Sequence, residues 1–469
     1  MRKSNLKKIF VDLILLTGLP YACISGRDSE SKPNILLFII DDAGYNDVGY
    51  NGSEIKTPVI DSLANQGVRL NSYYVYPVSS PTRAALLTGR PPSRIGILAP
   101  LQTNSPQKLS KNAILLSTVL KKAGYETCLD GKWHLGMRPE ETPNMFGFDH
   151  SYGYLGPWLD SYTHFSTDWI LDGSILRQWH RNGKLFDEFG HVTDLITDEA
   201  VSFIKKKRNK TKPFYLHVAY SAPHTPLQEP AKYTDIYEGS IENNSRRYFA
   251  AAMTHLDEGM GEIVKALIDE GIDENTIVIF MSDNGAAKGS DYSNNGKGWL
   301  VPPREFNMSY GLTDQLGNNS PFRDWKGSLY EGGIRVPAFI TWPKHLKSAV
   351  CNQTIHVCDW VPTLANLAGI KLPSEMNAEG IDVFSALNGE KIKNERFLYW
   401  RSNSQQAVRQ GPWKLIHSGK TLLEGKYELF NIEEDPYEKV NLADKYSDMV
   451  NLFAREIERN MEMDLNNAE

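Results

Sequence analysis

Ile35-Leu36-Leu37-Phe38-Ile39-Ile40 follows Pro33 and runs without a polar break into Asp41-Asp42. A continuous apolar run, rather than an alternating one, reads as a strand buried on both faces of a parallel sheet. Thr276–Met281 (TIVIFM) has the same character and passes through Ser282 into Asp283-Asn284-Gly285; Phe214–Ala219 is a third such run. Helical patterns lie between them. In the clearest, Phe249, Met253, Leu256, Met260, Ile263 and Leu267 recur at alternating steps of four and three, giving one apolar stripe. His255 and Asp257 on that helix are read as supports of the fold. Strands alternating with helices predict a doubly wound α/β domain, with ligands beyond the carboxyl ends of the strands.

Two of those ends carry acids. Asp41, Asp42 and Asp283 with Asn284 offer only hard oxygen donors, which select Ca2+ or Mg2+ over zinc. Neighbouring carboxylates repel unless a cation lies between them. A lone Asp-Asp pair often caps a helix or fills a turn; the second acidic pair, at the end of a matching strand, favours a metal site. Ser79-Ser80-Pro81-Thr82-Arg83 comes next. Pro81 suits the first turn of a helix, which places Ser79 at the positive end, where an anion is stabilised. Alone, the segment would read as a Ser-rich cap.

The chain has 469 residues, 51 Lys+Arg against 57 Asp+Glu, 41% hydrophobic and 23% charged residues. At roughly 150 residues per domain the length allows about three domains, or one large and one small. Disorder, collagen and a disulfide-stapled miniprotein are excluded by composition. The net charge of −6 argues against a nucleic-acid partner, which calls for a basic excess.

Residues 1–25 read as an export signal, with Arg2, Lys3, Lys7 and Lys8 ahead of the apolar stretch Ile9–Leu19. Cys23 offers a lipid anchor, although Pro20 stands where a lipoprotein signal carries an aliphatic residue. The apolar stretch Ile9–Leu19 is too short for a membrane span, and no other run of 18 apolar residues occurs. Cys351 and Cys358 could close a short loop, but with Cys128 the count is odd and the reduced state is favoured. Ala286–Trp325 is a long Asn-, Gly- and Ser-rich loop, and Lys205–Lys212 is read as a solvated basic loop. The catalytic domain is assigned to 30–390. Residues 391–469 form a C-terminal subdomain: short strands at Arg396–Trp400, Gln405–Gln410, Trp413–His417 and Tyr427–Asn431, then a helix near Tyr446–Met461.

Ser79-x-Pro81-x-Arg83 followed by Leu87-Thr88-Gly89-Arg90 resembles the signature of type I sulfatases, whose first position is Cys or Ser. The resemblance continues in order through Gly131-Lys132-Trp133-His134-Leu135-Gly136, Ala222-Pro223-His224, Ser282-Asp283-Asn284-Gly285 and Lys326 ahead of Tyr330-Glu331-Gly332-Gly333. Within the family, Gly44–Gly49 and Pro226–Pro230 resemble arylsulfatase B, the N-acetylgalactosamine-4-sulfatase. Two departures are present: Ser79 stands for Cys, which calls for a serine-accepting maturase, and Thr82 stands for Ser.

The resemblance implies an alkaline-phosphatase-like fold, with a large mixed sheet between helices and a small C-terminal antiparallel sheet. It implies that Ser79 is oxidised to formylglycine (3-oxoalanine) and that Ca2+ is held by Asp41, Asp42, Asp283 and Asn284 with matured Ser79. Arg83 and Lys132 would hold the hydrated aldehyde, one hydroxyl of which attacks sulfur to form a covalent sulfoenzyme. His224, with Lys326 nearby, would protonate the departing alcohol; His134 would take the proton that lets sulfate leave. Arg69, Arg94 and Arg335 are read as structural.

Asp160-Ser161-Tyr162-Thr163-His164 falls where arylsulfatase B relatives carry Asp-x-Tyr-x-His. Asp160 and His164 are therefore candidates to read the sugar beside an axial 4-sulfate, with an ordinary loop tie as the other reading. Trp158, Tyr162 and Trp325 could stack on sugar faces. The expected function is an exported, periplasmic, exolytic glycan sulfatase. The alternatives are a phosphate or phosphonate ester hydrolase of the same superfamily, and a glycan-binding protein in which Ser79 stays unconverted.

Overall fold

The computed structural model describes residues 32–102, 105, 107–168, 174–288, 316–392, 396–421 and 424–466. The expected export signal with Cys23, and positions 289–315 of the long loop, lie outside the described residues.

Four parallel strands carry the site: β1 (Asn34–Ile40), β2 (Glu126–Lys132), β3 (Phe214–Ala219) and β4 (Thr276–Ser282). Their spatial order is β4-β1-β3-β2. Every residue of β1, β3 and β4 is buried, as their unbroken apolar runs require. Glu126–Lys132 holds no such run and is not among the expected strands. The sheet has ten strands among the described residues and is mixed at both flanks. Ala338–Thr341 runs antiparallel to β4, and beyond the parallel strand His150–Tyr154, Trp179–Arg181 turns antiparallel.

Alternate side chains face opposite layers. Ile35, Leu37 and Ile39 pack with Ala84–Leu87 of one helix; Leu36, Phe38 and Ile40 pack against the expected stripe Phe249 to Leu267. That stripe lies on a helix spanning Asn244–Asp269, where Asp257 accepts from the backbone N–H of Val59 (3.0 Å) and Ile60 (2.7 Å) at the start of the helix Pro58–Gln66. Its neighbour His255 sits between Glu229 (2.6 Å) and Asp194 (2.9 Å). Both residues support the fold, as read from sequence.

The C-terminal strands Leu398–Arg401, Gln405–Gln410, Trp413–Thr421 and Glu424–Asn431 form an antiparallel sheet in that order. The helix Ser447–Asn466 covers it through Phe453 and Ile457, which pack on Tyr399, Val408, Leu415 and Leu429. Gln405–Gln410 has the expected ends, and the other elements differ from expectation by one to five residues at one or both ends. Trp400 Nε1 donates to Val75 O at 2.9 Å, and buried Lys414 lies between Glu331 (2.8 Å) and Glu438 (2.9 Å), fastening the sheet to the large one. Cys128, Cys351 and Cys358 are buried free thiols. In the basic stretch, Lys205 and Lys210 pair with Asp269 and Glu270. No helix among the described residues is long and apolar enough to cross a membrane.

Candidate active site

The register pairs Ile40 with Ser282 and Ala219 with Gly131. Asp41 and Asp283 therefore leave the sheet at one level, and Lys132 closes β2 beside them. Asp41 and Asp283 are fully buried, and Asp42 nearly so with φ of 70°. The backbone N–H of Asp42 donates to Asp283 Oδ1 at 3.2 Å, which locks the two acidic turns together.

Ser79 opens the helix Ser79–Thr88, all of it buried. Val78 is extended, and Thr82 Oγ1 accepts from Tyr76 N–H at 2.9 Å, fixing the entry of the chain; Pro81 falls in the first turn, where its missing N–H costs nothing. Ser79 Oγ lies 3.1 Å from Asp41 Oδ1 and 3.2 Å from Asn284 Oδ1. One helical turn on, Arg83 donates to Asp283 Oδ2 (2.8 Å) and to Lys132 O (3.3 Å). Lys132 Nζ donates to Asp41 Oδ2 at 2.5 Å, and Lys326 Nζ reaches Asp42 Oδ1 at 2.6 Å. Three carboxylates thus meet three cations around one hydroxyl.

Two histidines border the cluster. His224 Nε2 is 3.7 Å from Asp42 Oδ2, with Nδ1 against Thr225 O at 2.6 Å. His134, at φ of 56°, places Nε2 3.2 Å from Leu101 O, while its buried Nδ1 has no hydrogen-bond partner among the described residues. Burial, then the charges of Lys132, Arg83 and Lys326, holds His134 well below the ordinary imidazole range. Burial also lowers His224 to about 3, against the pull of Asp42. Both rings are neutral at pH 7. Burial raises the Asp283 carboxyl, and the charge on Asp41 adds to it; burial lowers Lys132, against Asp41.

The sequence reading missed Ser80. Its Oγ donates to His134 O (2.8 Å) and accepts from Leu101 N–H (2.9 Å), clasping the His134 turn to the Ser79 helix. Nothing in its own neighbourhood of sequence separates that role from capping.

Asp160 and His164 make their contacts within their own loop and with Gln228, Trp179 and Gly190. Asp160 Oδ1 accepts from the N–H of Tyr162 and Thr163 (3.1 and 2.8 Å), and Oδ2 accepts from Gln228 (2.6 Å). His164 stacks on Trp179 with centroids 4.5 Å apart, and its Nε2 faces Gly190 O at 3.0 Å. The loop tie is what the geometry displays for Asp160.

Asp41, Asp42 and His224 each turn one ligand atom to a common point, all within 4.8 Å of one another; so do His191, Asp194 and His255. The second group is a closed hydrogen-bonded network. His191 Nδ1 accepts from Thr193 N–H at 3.2 Å, which leaves Nε2 protonated toward Gln228 O at 3.1 Å and unable to ligate. The first group fits a cation. Leaving aside the His224 nitrogen, Asp41, Asp42, Asp283 and Asn284 offer oxygens suited to a hard divalent ion, and burial, then the charge of Asp41, disfavours the ionised Asp283 carboxylate, a cost that such an ion offsets.

The mixed sheet, with charges of both signs gathered at its strand ends about a helix-borne hydroxyl, agrees with the alkaline-phosphatase-like fold that the resemblance implies. Comparison with known proteins gives the family. Residues 33–370 match the profile described as Sulfatase, and residues 322–466 match the one described as N-sulphoglucosamine sulphohydrolase, C-terminal. The chain is 32% identical to mouse (Mus musculus) arylsulfatase J, over 92% of this chain and 76% of that protein. It is also 32% identical to mouse N-acetylgalactosamine-6-sulfatase, over 85% of this chain and 75% of that one. A crystal structure of Ps i-CgsB in complex with k-i-k-neocarrahexaose superposes with a TM-score of 0.80 at 32% identity, covering 92% and 94% of the two chains. The chain belongs to the sulfatase family and is a sulfuric ester hydrolase.

Proposed function

We propose that this enzyme removes sulfate from a carbohydrate, acting exolytically on sulfated glycan oligosaccharides with preference for galactose or N-acetylgalactosamine 4-sulfate. The observation that carries the reading is the Ser79 hydroxyl, 3.1 Å from Asp41 and 3.2 Å from Asn284 at the first turn of a buried helix. The carbohydrate class is supported by the N-acetylgalactosamine-6-sulfatase relatives and by the oligosaccharide in the Ps i-CgsB structure. The 4-position is supported by the arylsulfatase B-like segments Gly44–Gly49 and Pro226–Pro230.

In this reading a serine-type maturase oxidises Ser79 to formylglycine, which in hydrated form supplies the nucleophilic hydroxyl. Asp41, Asp42, Asp283, Asn284 and matured Ser79 would hold Ca2+, which would supply positive charge to offset the negative charge of the sulfate. Arg83 and Lys132 fix the oxygen at position 79, while Lys326 faces the sulfate as charge spreads over it. The free Nδ1 of His134 accepts a proton, since the ring is neutral. His224 hands a proton to the leaving sugar oxygen once the sulfate charge has raised it from its low resting value, with Lys326 adjacent. The loop 160–164 borders the sugar, Asp160 shaping it and His164 facing a hydroxyl. Residues 1–25 direct export to a bacterial periplasm, Cys23 being the place for any lipid anchor. Residues 30–390 are the catalytic domain and 391–469 its subdomain.

The test is sulfate release by matured protein from mono- and disaccharides sulfated at different positions, alongside phosphate esters of the same alcohols. Release from galacto-configured 4-sulfates ahead of 6-sulfates and phosphates is expected. Faster release from the 6-sulfates would overturn the position, and faster phosphate release would overturn the ester class.

A further inference from the structure

Arg409, in the strand Gln405–Gln410 of the C-terminal sheet, is only 4% exposed. Its Nε donates to Gly411 O at 3.0 Å and one Nη donates to the Tyr74 hydroxyl. Its guanidinium lies over the Tyr74 ring at 4.9 Å, and the Tyr74 hydroxyl donates on to buried Glu331 at 2.6 Å, whose carboxyl Arg409 helps hold down; among the described residues no carboxylate lies within direct ion-pair distance of it. Arg409 lines a cavity of about 490 Å3 that also takes in Arg335, Arg396 and Lys391, with Glu433 the one carboxylate in its wall.

Two of these four cations are already neutralised. Arg335 faces Glu331 at 3.3 Å and donates to Asn71 O, and Arg396 pairs with buried Asp359. Lys391 is exposed and, like Arg409, has no carboxylate partner among the described residues. Arg409, joined to Glu331 only through Tyr74, and Lys391 therefore lack a direct ion pair among the described residues, and Glu433 is the one carboxylate among the lining residues. Low-dielectric walls focus such a field, and guanidinium N–H groups match the oxygens of a sulfate or carboxylate. The volume falls in the range of small-ligand pockets, and Asn352 in the wall can hydrogen-bond a sugar hydroxyl. None of the lining residues belongs to the Ser79 cluster.

We propose that this cavity, between the large sheet and the C-terminal sheet, is a second binding site. It takes an anionic saccharide unit through its sulfate or carboxylate, away from the position of bond cleavage. The saccharide part rests on the proposed function; the anion part rests on the charges alone.

Hydrogen exchange of the full chain, read by mass spectrometry with and without a chondroitin 4-sulfate hexasaccharide, tests it. Slowed exchange is expected in peptides spanning 352–356 and 405–411. In Lys391→Glu, at an exposed side chain with no hydrogen bond or ion pair among the described residues, at least about tenfold more hexasaccharide is needed for the same protection. Arg409→Gln abolishes the protection if it folds. Absence of protection there, or protection unaltered by Lys391→Glu, overturns the site. Equal protection by inorganic sulfate at the same concentration overturns the saccharide part. Hydrolysis of the hexasaccharide is followed in parallel: turnover without this protection rejects only the second site, and protection without turnover rejects only the proposed substrate.

Discussion

Lys132 Nζ donates to Asp41 Oδ2 across 2.5 Å, with neither side chain exposed. The pair joins the ends of two strands that are not neighbours, since β3 lies between β1 and β2. Removing one partner of a buried pair leaves the other charge uncompensated, at a cost of about 3–5 kcal/mol. In Lys132→Met the nearest cation left to Asp41 is Arg83, at 3.9 Å. Urea denaturation should show a loss of that size. Added Ca2+ should restore more stability to the variant than it adds to the wild type, because the ion supplies the missing charge. Equal gains in both proteins would count against a cation at Asp41.

Gly131 sits one residue before Lys132 with φ of 105°, and a Cβ there would lie 1.9 Å from Ala219 O. The clash is with backbone in the centre of the sheet, so it has no cheap relief. Gly131→Ala is expected to lose at least about 2 kcal/mol of stability and to lower sulfate release by displacing Lys132. Wild-type thermal stability and turnover in this variant would show that the strand is free to shift.

Stability should fall on both sides of neutrality. Burial lowers His217 to about 3 and His180 to about 4, against an ordinary value of 6.5. A depressed imidazole contributes fully above its unfolded value and loses that contribution as pH falls through its folded one, here from 6.5 towards 4 and 3. His255 runs the other way: burial pushes it down, yet Glu229 and Asp194 lift it to about 9. Its contribution is complete below 6.5 and is lost as pH rises through about 9. Urea midpoints measured across pH should form a dome. His255→Gln should flatten the alkaline limb and leave the acid limb in place.

His164 and Asp160 separate by assay. Losing the acceptor oxygens of Asp160 leaves Gln228 and two backbone N–H groups unpaired, so Asp160→Ala should cost about 1–3 kcal/mol in stability. His164→Ala should lower kcat/KM for a 4-sulfated galacto sugar about tenfold more than for an aryl sulfate, roughly the worth of one sugar hydrogen bond. Equal losses on both substrates would make His164 a packing residue.

Much of the site is legible along the chain because its chemistry follows apolar runs. Ile35–Ile40 and Thr276–Met281 are pure strand signals, and the residues right after them are the acids that meet. Glu126–Lys132 shows the opposite case: its buried Asp130 and Lys132 interrupt the run, so the strand is visible only through its pairing with β3. Ser80 and Lys414 are silent for another reason. An isolated Lys in an antiparallel strand reads as solvent-facing, whereas Lys414 is held, with no exposed surface, by Glu331 and Glu438 from remote segments. Arg335, read as structural, does tie Asn71 and Glu331, yet it also lines the charged cavity. Partnerships of that kind exist only after the chain has folded.

Catalysis as proposed depends on Ser79 becoming the reacting group. The direct measurement is the mass of the peptide containing Ser79, from protein co-expressed with a serine-type maturase, taken with sulfate release by the same sample. A peptide lighter by two hydrogens is expected, in a fraction that tracks the rate of release, with no release from Ser79→Ala. An unmodified serine in protein that hydrolyses the sulfate ester would contradict it.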